Sequence, residues 1–256
     1  MIKYTVEGKI GKIILSRPEK FNAFNREMSL LFQKAIKECS TDDNVRAIHI
    51  SGEGKAFSSG QDLSEAMSPD GPGIEKIVEE HYNPIILGIR QMEKPVVCSV
   101  NGIAAGAGAN IALACDIVVA GKSSAFIQAF SKIGLVPDSG GTFFLPRMIG
   151  FQRATALMML GDKISGEEAQ QMGMIYKVFD DAELEKESWK IAVQLSEMPT
   201  RGLGLTKKLL NKSFLNTLEE QLKEEGKLQT LAGATADFQE GIRSFLEKRK
   251  AVFTGK

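Results

Sequence analysis

Short apolar segments alternate with helical patterns over the first two thirds of the chain, and this alternation is what most constrains the fold. The segments VRAIHISGEG, PVVCSVNG, DIVVAG and MIYKVFD each contain only about five strand-like residues, the usual strand length. Between them lie segments with apolar residues at helical spacing, such as Met28, Leu31, Phe32, Ala35 and Ile36. The pattern predicts an α/β fold whose parallel strands are joined by right-handed crossovers.

The two ends of the chain depart from this alternation. At the start, YTVEGKIGKIILSRP predicts two short strands joined at Gly8 or Gly11. From Ala182 onward the sequence is helical throughout, so we expect these helices to have no sheet to cover. Their apolar faces then require another surface, which the core or a second subunit would supply.

Composition limits the kinds of partner. The chain has 256 residues and balanced charges, 32 basic against 32 acidic, so no basic excess predicts nucleic-acid binding. The longest apolar stretch, Pro95 to Ala120, is interrupted by Asn101, Asn110 and Asp116, which favours a buried strand, turn and helix over a membrane span. Residues 1–20 lack the pattern of a signal peptide. Three cysteines without CxxC spacing fit a reducing compartment, so we expect a cytoplasmic protein.

Two glycine-containing turns follow successive predicted strands, in GKAFSSGQDL and in NGIAAGAGANIAL. Small residues at the start of a helix let a ligand oxygen approach N–H groups that have no partner within the helix. Two such turns side by side would donate two N–H groups to one developing oxyanion. Tight packing of helix against strand is the alternative explanation for either turn alone. Neither turn matches a nucleotide phosphate-binding motif.

Asp138 is the single acid in the segment FSKIGLVPDSGGTFFLPR. Its position before Ser139 and two glycines is good composition for a helix N-cap. A carboxylate in an apolar wall would instead serve as a base. The residues alone leave both roles open, and Ser139 is the other candidate for the cap.

Four segments in order resemble the crotonase (enoyl-CoA hydratase/isomerase) superfamily: RPEKFNAF, GKAFSSGQDL, KPVVCSVNGIAAGAGANIALACDIVVAG and PDSGGTFFLPRMIG. The resemblance runs from about Ile10 to the C-terminus. It implies a crotonase-like spiral of ββα turns over residues 1–195 and a helical trimerisation region over residues 196–256. GQDL, YNP and the ending FLEKRKAVFTGK resemble the branch that isomerises the ring epoxide of phenylacetyl-CoA in phenylacetate breakdown.

The resemblance also implies how a substrate is held. The thioester carbonyl oxygen would accept hydrogen bonds from the backbone N–H groups of Gln61 and Ala107. Substrate and coenzyme A would contact residues of the matching motifs, namely Ala23, Phe24, Ser59, Gly60, Asp62, Leu63, Gly106, Phe130 and Lys248. Lys20, Lys250 and Phe253 are further candidates for contact with the coenzyme. No cofactor is expected beyond coenzyme A carried as the substrate thioester, and the expected assembly is a homotrimer or a dimer of trimers.

The positions of the two hydratase glutamates distinguish the activities within this family. By motif, the first position is Asn110 and the second is Phe130. Activation of water needs one group to accept a proton and another to deliver one, and neither residue does this at neutral pH. In the isomerases, the position of Asp138 carries the working acid. The resemblance therefore implies a 1,3-proton transfer by Asp138, whose pKa an apolar setting would raise.

Other activities remain open at this point. A linear Δ3,Δ2-enoyl-CoA isomerase or an enoyl-CoA hydratase of fatty-acid oxidation would fit the same fold. An aryl-CoA dehalogenase would use Asp138 as a nucleophile, but it needs a helper histidine. A protein of another class, an inert CoA-binding subunit of a hydratase complex, would bind thioesters without proton exchange.

The remaining polar residues predict structural roles. His49 lies on a predicted strand and His81 on a predicted helix, and without a nearby cluster of ligands we expect no metal site. His81, beside Tyr82, could approach the acyl pocket, but we expect it to be solvated or hydrogen-bonded. Asp116 precedes a strand, where a carboxylate typically bonds backbone groups.

Overall fold

The computed structural model describes residues 1–256 and contains ten strands in two sheets. The strands are β1 (Ile2–Glu7), β2 (Ile10–Leu15), β3 (Ala47–Gly52), β4 (Ala56–Ser58), β5 (Val96–Val100), β6 (Ile103–Ala105), β7 (Ile117–Gly121), β8 (Ala125–Ile127), β9 (Lys163–Ser165) and β10 (Lys177–Phe179). The larger sheet has the order β1-β2-β3-β5-β7-β10 and the smaller one β4-β6-β8-β9. Only β1 and β9, each at the edge of its sheet, pair antiparallel with a neighbour.

Twelve α-helices complete the fold. They are α1 (Arg26–Thr41), α2 (Leu63–Ala66), α3 (Gly73–Lys76), α4 (Asn83–Gln91), α5 (Ala107–Leu113), α6 (Gly141–Ile149), α7 (Phe151–Leu160), α8 (Gly166–Gln171), α9 (Asp181–Glu197), α10 (Thr200–Ser213), α11 (Leu218–Gly233) and α12 (Ala236–Leu246). A π-helical segment, Ile77–Tyr82, joins α3 to α4, and short 3-10 turns lie at Pro18–Lys20 and Ala129–Ile133.

The chain repeats one unit three times. β3, β5 and β7 each add a strand to the larger sheet, and β4, β6 and β8 then each add one to the smaller sheet before helices follow. Because both sheets grow in the same order, the chain winds as a spiral of ββα turns. The predicted α/β fold with parallel strands is confirmed. The N-terminal hairpin turns at Gly8, which has a φ of +62°.

The sequence did not predict the smaller sheet. The three-residue strands β4, β6 and β8 lie at or beside the segments that we interpreted as turns. Three residues are too few to show the period-two alternation that identifies a half-buried strand.

The prediction that the last third has no sheet to cover is wrong for α9. This helix packs on the larger sheet, where Ala192 joins Ile10 and Val97 in a small buried cluster beside Trp189. The later part of the chain differs, since the segment from α10 to α12 leaves several large apolar side chains exposed: Leu210, Leu215, Leu218, Leu222, Phe245 and Leu246. No helix in the structure combines the length and the apolar character needed to cross a membrane.

Candidate active site

An apolar cavity of about 210 Å³ lies beside the ends of β4 and β6, the start of α5 and the π-helical segment. Eleven of its 17 lining residues are hydrophobic, so a group that binds there would move from water into an apolar environment. The cavity is lined by Ser59, Gly60, Gln61, Leu63, Ala66, Ile74, Ile77, Val78, Tyr82, Gly106, Ala107, Ala129, Phe130, Lys132, Ile133, Leu135 and Asp138. Asp138 supplies the one carboxylate in this lining.

The two glycine turns meet at this cavity. A Cβ on Gly60, which has a φ of +89°, would lie 2.9 Å from the Ala105 carbonyl oxygen and 3.4 Å from the Ala107 nitrogen. Gly106 has φ +52° and ψ −128°, a conformation that residues other than glycine rarely adopt. Both turns therefore need glycine for their geometry, and the close contact places Gln61 beside the start of α5.

The backbone N–H groups of Gln61 and Ala107 make no hydrogen bond within the protein. Phe24 N–H donates to Gly60 O at 2.7 Å, and Asp62 N–H donates to Phe24 O at 2.8 Å. Because N–H groups alternate in direction along an extended chain, the N–H of Gln61 points away from Phe24. Ala107 is the first residue of α5, so its N–H has no intrahelical partner. The cavity lining thus contains two residues whose backbone N–H groups have no partner within the protein.

Asp138 is half-buried at the end of the loop that leads into α6. Ser139 Oγ donates to Asp138 Oδ1 at 2.8 Å. Burial raises the pKa of the Asp138 carboxyl above its ordinary value, and the Ser139 hydrogen bond opposes that shift only in part. A carboxylate of raised pKa in an apolar wall has the properties of a general base.

The alternative role of Asp138 as a helix cap is wrong in this structure. The residue before α6 is Gly140, and no side chain caps that end. The Gly141 N–H is bonded by the backbone carbonyl of Asp138 at 2.9 Å, which leaves the carboxylate free of that task. Ser139 does not take the capping role either, because its hydroxyl is bonded to Asp138.

The two positions where hydratases carry glutamates hold no acid. Phe130 is buried and lines the cavity, with its ring 3.8 Å from where a Cβ of Gly106 would be. Asn110 is buried in α5, and its Nδ2 donates to the Asp138 carbonyl oxygen at 2.8 Å. Asn110 Oδ1 in turn accepts from Gln128 Nε2 at 2.8 Å.

The structure brings most of the predicted site residues together at the cavity. The lining includes Asp138 and Phe130. It also includes the predicted residues at the two glycine turns, which are Ser59, Gly60, Gln61, Leu63, Gly106 and Ala107. Sequence analysis missed Tyr82 and the apolar wall residues Ile77, Ile133 and Leu135. The segment HYNP held a signal for Tyr82, since it belongs to the motif that the branch resemblance used.

Four predicted substrate or coenzyme residues lie outside this lining: Ala23, Phe24, Asp62 and Lys248. Phe24 is fully buried in the core against Phe32 and Tyr82. Asp62 caps α2 through Ser64 N–H at 3.0 Å and pairs with Arg17 at 2.7 Å. Lys248 follows α12 and has a φ of +54°.

Of the two histidines, His81 differs from expectation. We expected His81 to be solvated or hydrogen-bonded, but it is fully buried in the π-helical segment and neither ring nitrogen has a partner. Burial lowers its pKa, so the ring stays neutral. His49 bonds Ser188 through Nε2 at 2.9 Å. Neither histidine lines the cavity.

Asp116 has the predicted structural role. Its carboxylate accepts from Val96 N–H at 2.9 Å, at the entry to β5. It also pairs with Lys207 at 2.7 Å and Arg90 at 3.1 Å, which ties α10 and α4 to the sheet.

Comparison with known proteins covers the chain almost from end to end. Residues 5–256 match the enoyl-CoA hydratase/isomerase family model. Over 254 residues the chain is 44% identical to the 1,2-epoxyphenylacetyl-CoA isomerase of Escherichia coli (strain K12), covering 98% of this chain and 97% of that protein. It is 38% identical to the trans-2-decenoyl-[acyl-carrier-protein] isomerase of Streptococcus mutans, and the match covers 100% of this chain and 98% of that protein.

A solved structure shows the same architecture. The crystal structure of an enoyl-CoA hydratase from Polaromonas sp. JS666 superposes with a TM-score of 0.91 at 33% identity, covering 98% of this chain and 99% of the other. The relatives include isomerases and hydratases, so the likeness fixes the fold and the family but not one reaction. The chain belongs to the enoyl-CoA hydratase/isomerase family and has the crotonase fold, as the spiral of ββα turns and the paired glycine turns predict.

Proposed function

We propose that this enzyme is a CoA-thioester isomerase that shifts a double bond by a 1,3-proton transfer, with Asp138 as the base. The observation that carries the proposal is the single carboxylate in the cavity lining. It shares an apolar cavity with the free N–H groups of Gln61 and Ala107. A shift of the double bond needs one carboxylate to move the proton and a site that stabilises the enolate charge.

The two N–H groups would hold the thioester carbonyl oxygen. When the proton leaves the carbon next to that carbonyl, negative charge develops on the oxygen. Donors already fixed in place stabilise this charge without reorganisation, and the effect is strongest where water is excluded. The backbone supplies both donors, so the side chains of Gln61 and Ala107 need no special chemistry.

Asp138 would take the proton from the α-carbon and return it to the γ-carbon. The double bond then lies in conjugation with the thioester. Substrate and product have the same atomic composition, and the carboxylate ends the cycle in its starting state. The raised pKa makes Asp138 a stronger base than an exposed aspartate.

Hydration is disfavoured because it needs two proton-transfer groups around one water. Asn110 has both amide groups engaged, with Asp138 and with Gln128, and Phe130 presents a hydrocarbon ring. Asp138 alone lacks the second group that would activate and orient the water.

For the acyl group we propose the ring 1,2-epoxide of phenylacetyl-CoA, with ring expansion to an oxepin coupled to the same proton shift. A cavity of about 210 Å³ exceeds the roughly 150 Å³ that accepts a benzene ring in an engineered protein core. The 44% identical relative carries the name of this activity. A linear 3-enoyl-CoA also fits an apolar cavity, and it serves as the simplest substrate for a test.

One assay series tests this proposal against its competitors. The enzyme is incubated separately with the ring epoxide, a 3-enoyl-CoA, a 2-enoyl-CoA and a halobenzoyl-CoA. We expect rearrangement of the first two, little 3-hydroxyacyl-CoA from the third and no halide from the fourth. Dominant hydration of the 2-enoyl-CoA would overturn the proposal in favour of a hydratase. Binding of all four without proton exchange would indicate an inert CoA-binding subunit.

We further propose that the enzyme assembles as a homotrimer or a dimer of trimers. The exposed apolar side chains on α10 to α12 support this, since they lack a covering surface within one chain. In such an assembly, Lys248 would contact the substrate that is bound to a neighbouring subunit. Sedimentation equilibrium of the intact protein tests the proposal, and a monomer would contradict it.

A further inference from the structure

Asn110 and Gln128 form a buried pair of side-chain amides that ends at the backbone of Asp138. Gln128 Nε2 donates to Asn110 Oδ1, and Asn110 Nδ2 donates to the Asp138 carbonyl oxygen, both at 2.8 Å. Asn110 is 1% exposed and Gln128 is 3% exposed. Gln128 Oε1 has no hydrogen-bond partner, so the pair is satisfied only in part. Loss of either of the two bonds that it does make would leave further buried polar atoms unpaired, which is costly.

The turn that the pair contacts is conformationally strained. Ser139 has a φ of +52°, in the left-handed region that residues other than glycine seldom adopt, and Gly140 follows with a φ of +74°. Such strain persists only where the surroundings hold the backbone. The Asp138 carbonyl has one local donor, Gly141 N–H, and one donor from another element, Asn110.

Helix α5 links the two halves of the site. Ala107, which offers a free N–H to the cavity, is the first residue of α5, and Asn110 lies one turn later. A side chain on α5 therefore fixes the backbone of Asp138 relative to the N–H of Ala107. Gly141 makes room for this contact, because a Cβ there would lie 2.4 Å from Asn110 Nδ2.

We propose that Asn110, held by Gln128, is a positioning residue that sets the place of the Asp138 carboxylate relative to the oxyanion donors. The inference rests on the proposed function, in which Asp138 is the base. It assigns a purpose to the position where hydratases are expected to carry a catalytic acid.

The chemistry of the contact explains why an amide is needed. Asn110 donates to one partner and accepts from the other at the same time. An ionised carboxylate only accepts, so it would face the Asp138 carbonyl oxygen without a proton to share. It would also place a second negative charge beside Asp138.

Two substitutions test the inference. Asn110→Asp keeps the size of the side chain but removes the donor. We expect kcat to fall by about 10- to 100-fold, because small misplacements of a reacting group have effects of this order, with acyl-CoA Kd within about threefold. The acid limb of the pH profile should move to higher pH, since the added charge disfavours ionisation of Asp138. Gln128→Leu should lower kcat only several-fold, which is less than Asn110→Asp, and should leave the acid limb of the pH profile in place.

Asn101→Ala is the matched control, because Asn101 also bonds two backbone groups, Gly52 N–H and Gly54 O, but lies outside the cavity lining. Its kcat and pH profile should equal those of the wild type. If the Asn110→Asp variant folds and shows the kcat and the acid limb of the wild-type enzyme, the inference is overturned. If that variant does not fold, unchanged kcat in Gln128→Leu would overturn it. Asp138→Asn is assayed in parallel: retained turnover there would refute the proposed function itself.

Discussion

The hydroxyl of Tyr82 donates a hydrogen bond to Oε1 of Gln61 at 2.7 Å. Gln61 Nε2 donates in turn to Glu65 Oε2 at 3.2 Å, so the side chain is held between the π-helical segment and α2. Burial, with the charge of Asp138 adding to it, raises the pKa of Tyr82 well above its ordinary value. The hydroxyl therefore remains a donor at any working pH. The contact fixes the side chain of Gln61, a residue of the cavity lining whose backbone N–H has no partner within the protein.

Tyr82→Phe should slow the reaction without unfolding the protein. The change removes one donor and leaves Gln61 Oε1 without its partner, which costs about 1 kcal/mol and corresponds to a roughly five- to tenfold loss in kcat. Steady-state kinetics with a 3-enoyl-CoA measures it. The control is Tyr176→Phe, since Tyr176 is exposed and outside the cavity lining. Equal kcat in the two variants would show that the Tyr82 contact does not support turnover.

Gly106→Ala should impair both stability and turnover. The φ and ψ of Gly106 suit glycine alone, and an alanine there would strain the backbone by about 1–3 kcal/mol. Relief of that strain would displace the Ala107 N–H. Gly226→Ala is the opposite case, because Gly226 lies within α11 with open space around it, so alanine should stabilise by about 1 kcal/mol. Chemical denaturation at one protein concentration compares the two. Wild-type stability and kcat in Gly106→Ala would contradict the described turn.

Asp116→Ala should destabilise the fold strongly. Lys207 is only 6% exposed and would lose its partner, as would Arg90. Breaking a buried ion pair from one side typically costs about 3–5 kcal/mol. Urea denaturation at pH 7 measures the loss, with Lys186→Ala as the control for an exposed pair. A midpoint as little changed as that of the control would show that Asp116 is not the anchor between α4, α10 and the sheet.

Much of the fold followed from sequence because strand and helix patterns act locally. The segments around Ile48, Val97 and Val119 each have enough apolar residues to identify a buried strand. The smaller sheet was missed because Ala56, Ile103 and Ala125 each begin a strand of three residues. Such short strands exist only through pairing with each other, which no local pattern shows.

The site was predictable where a motif fixes the backbone. Gly60 and Gly106 mark the two turns that the sequence indicated, whereas the choice of Gln61 and Ala107 beside them came from the family resemblance. Tyr82 and Ile77 reach the cavity through a π-helical segment, whose register differs from that of an α-helix. Helical periodicity therefore could not place them. The link from Asn110 to Asp138 depends on a contact between residues distant in sequence.

The stability of the protein should reveal the raised pKa of Asp138. The folded-state pKa lies above the ordinary 3.8, so the folded state binds more protons between these two values. Wild-type stability therefore decreases as pH rises through that window. Asp138→Asn removes this dependence, so it should be more stable than wild type at pH 7, with the difference shrinking as pH falls toward 3.8.

Glu240→Gln should show the opposite sign. Arg249 lowers the pKa of Glu240 to about 2, so ionised Glu240 stabilises the fold above its unfolded pKa, and this stabilisation is lost as pH falls through the folded value. The variant should be slightly less stable than wild type at pH 7. Thermal unfolding from about pH 2 to pH 8 measures both variants. Lower stability of Asp138→Asn at pH 7 would show that the carboxylate is not destabilised by burial.

The proton transfer by Asp138 is tested most directly by turnover of Asp138→Asn on a 3-enoyl-CoA in deuterium oxide, with acyl-CoA affinity measured alongside. We predict a loss of about 10²- to 10⁴-fold in double-bond migration, the usual contribution of a general base, together with no deuterium at the α-carbon and Kd within about threefold. Migration within a few-fold of the wild-type rate would contradict the assignment and require another base in the cavity.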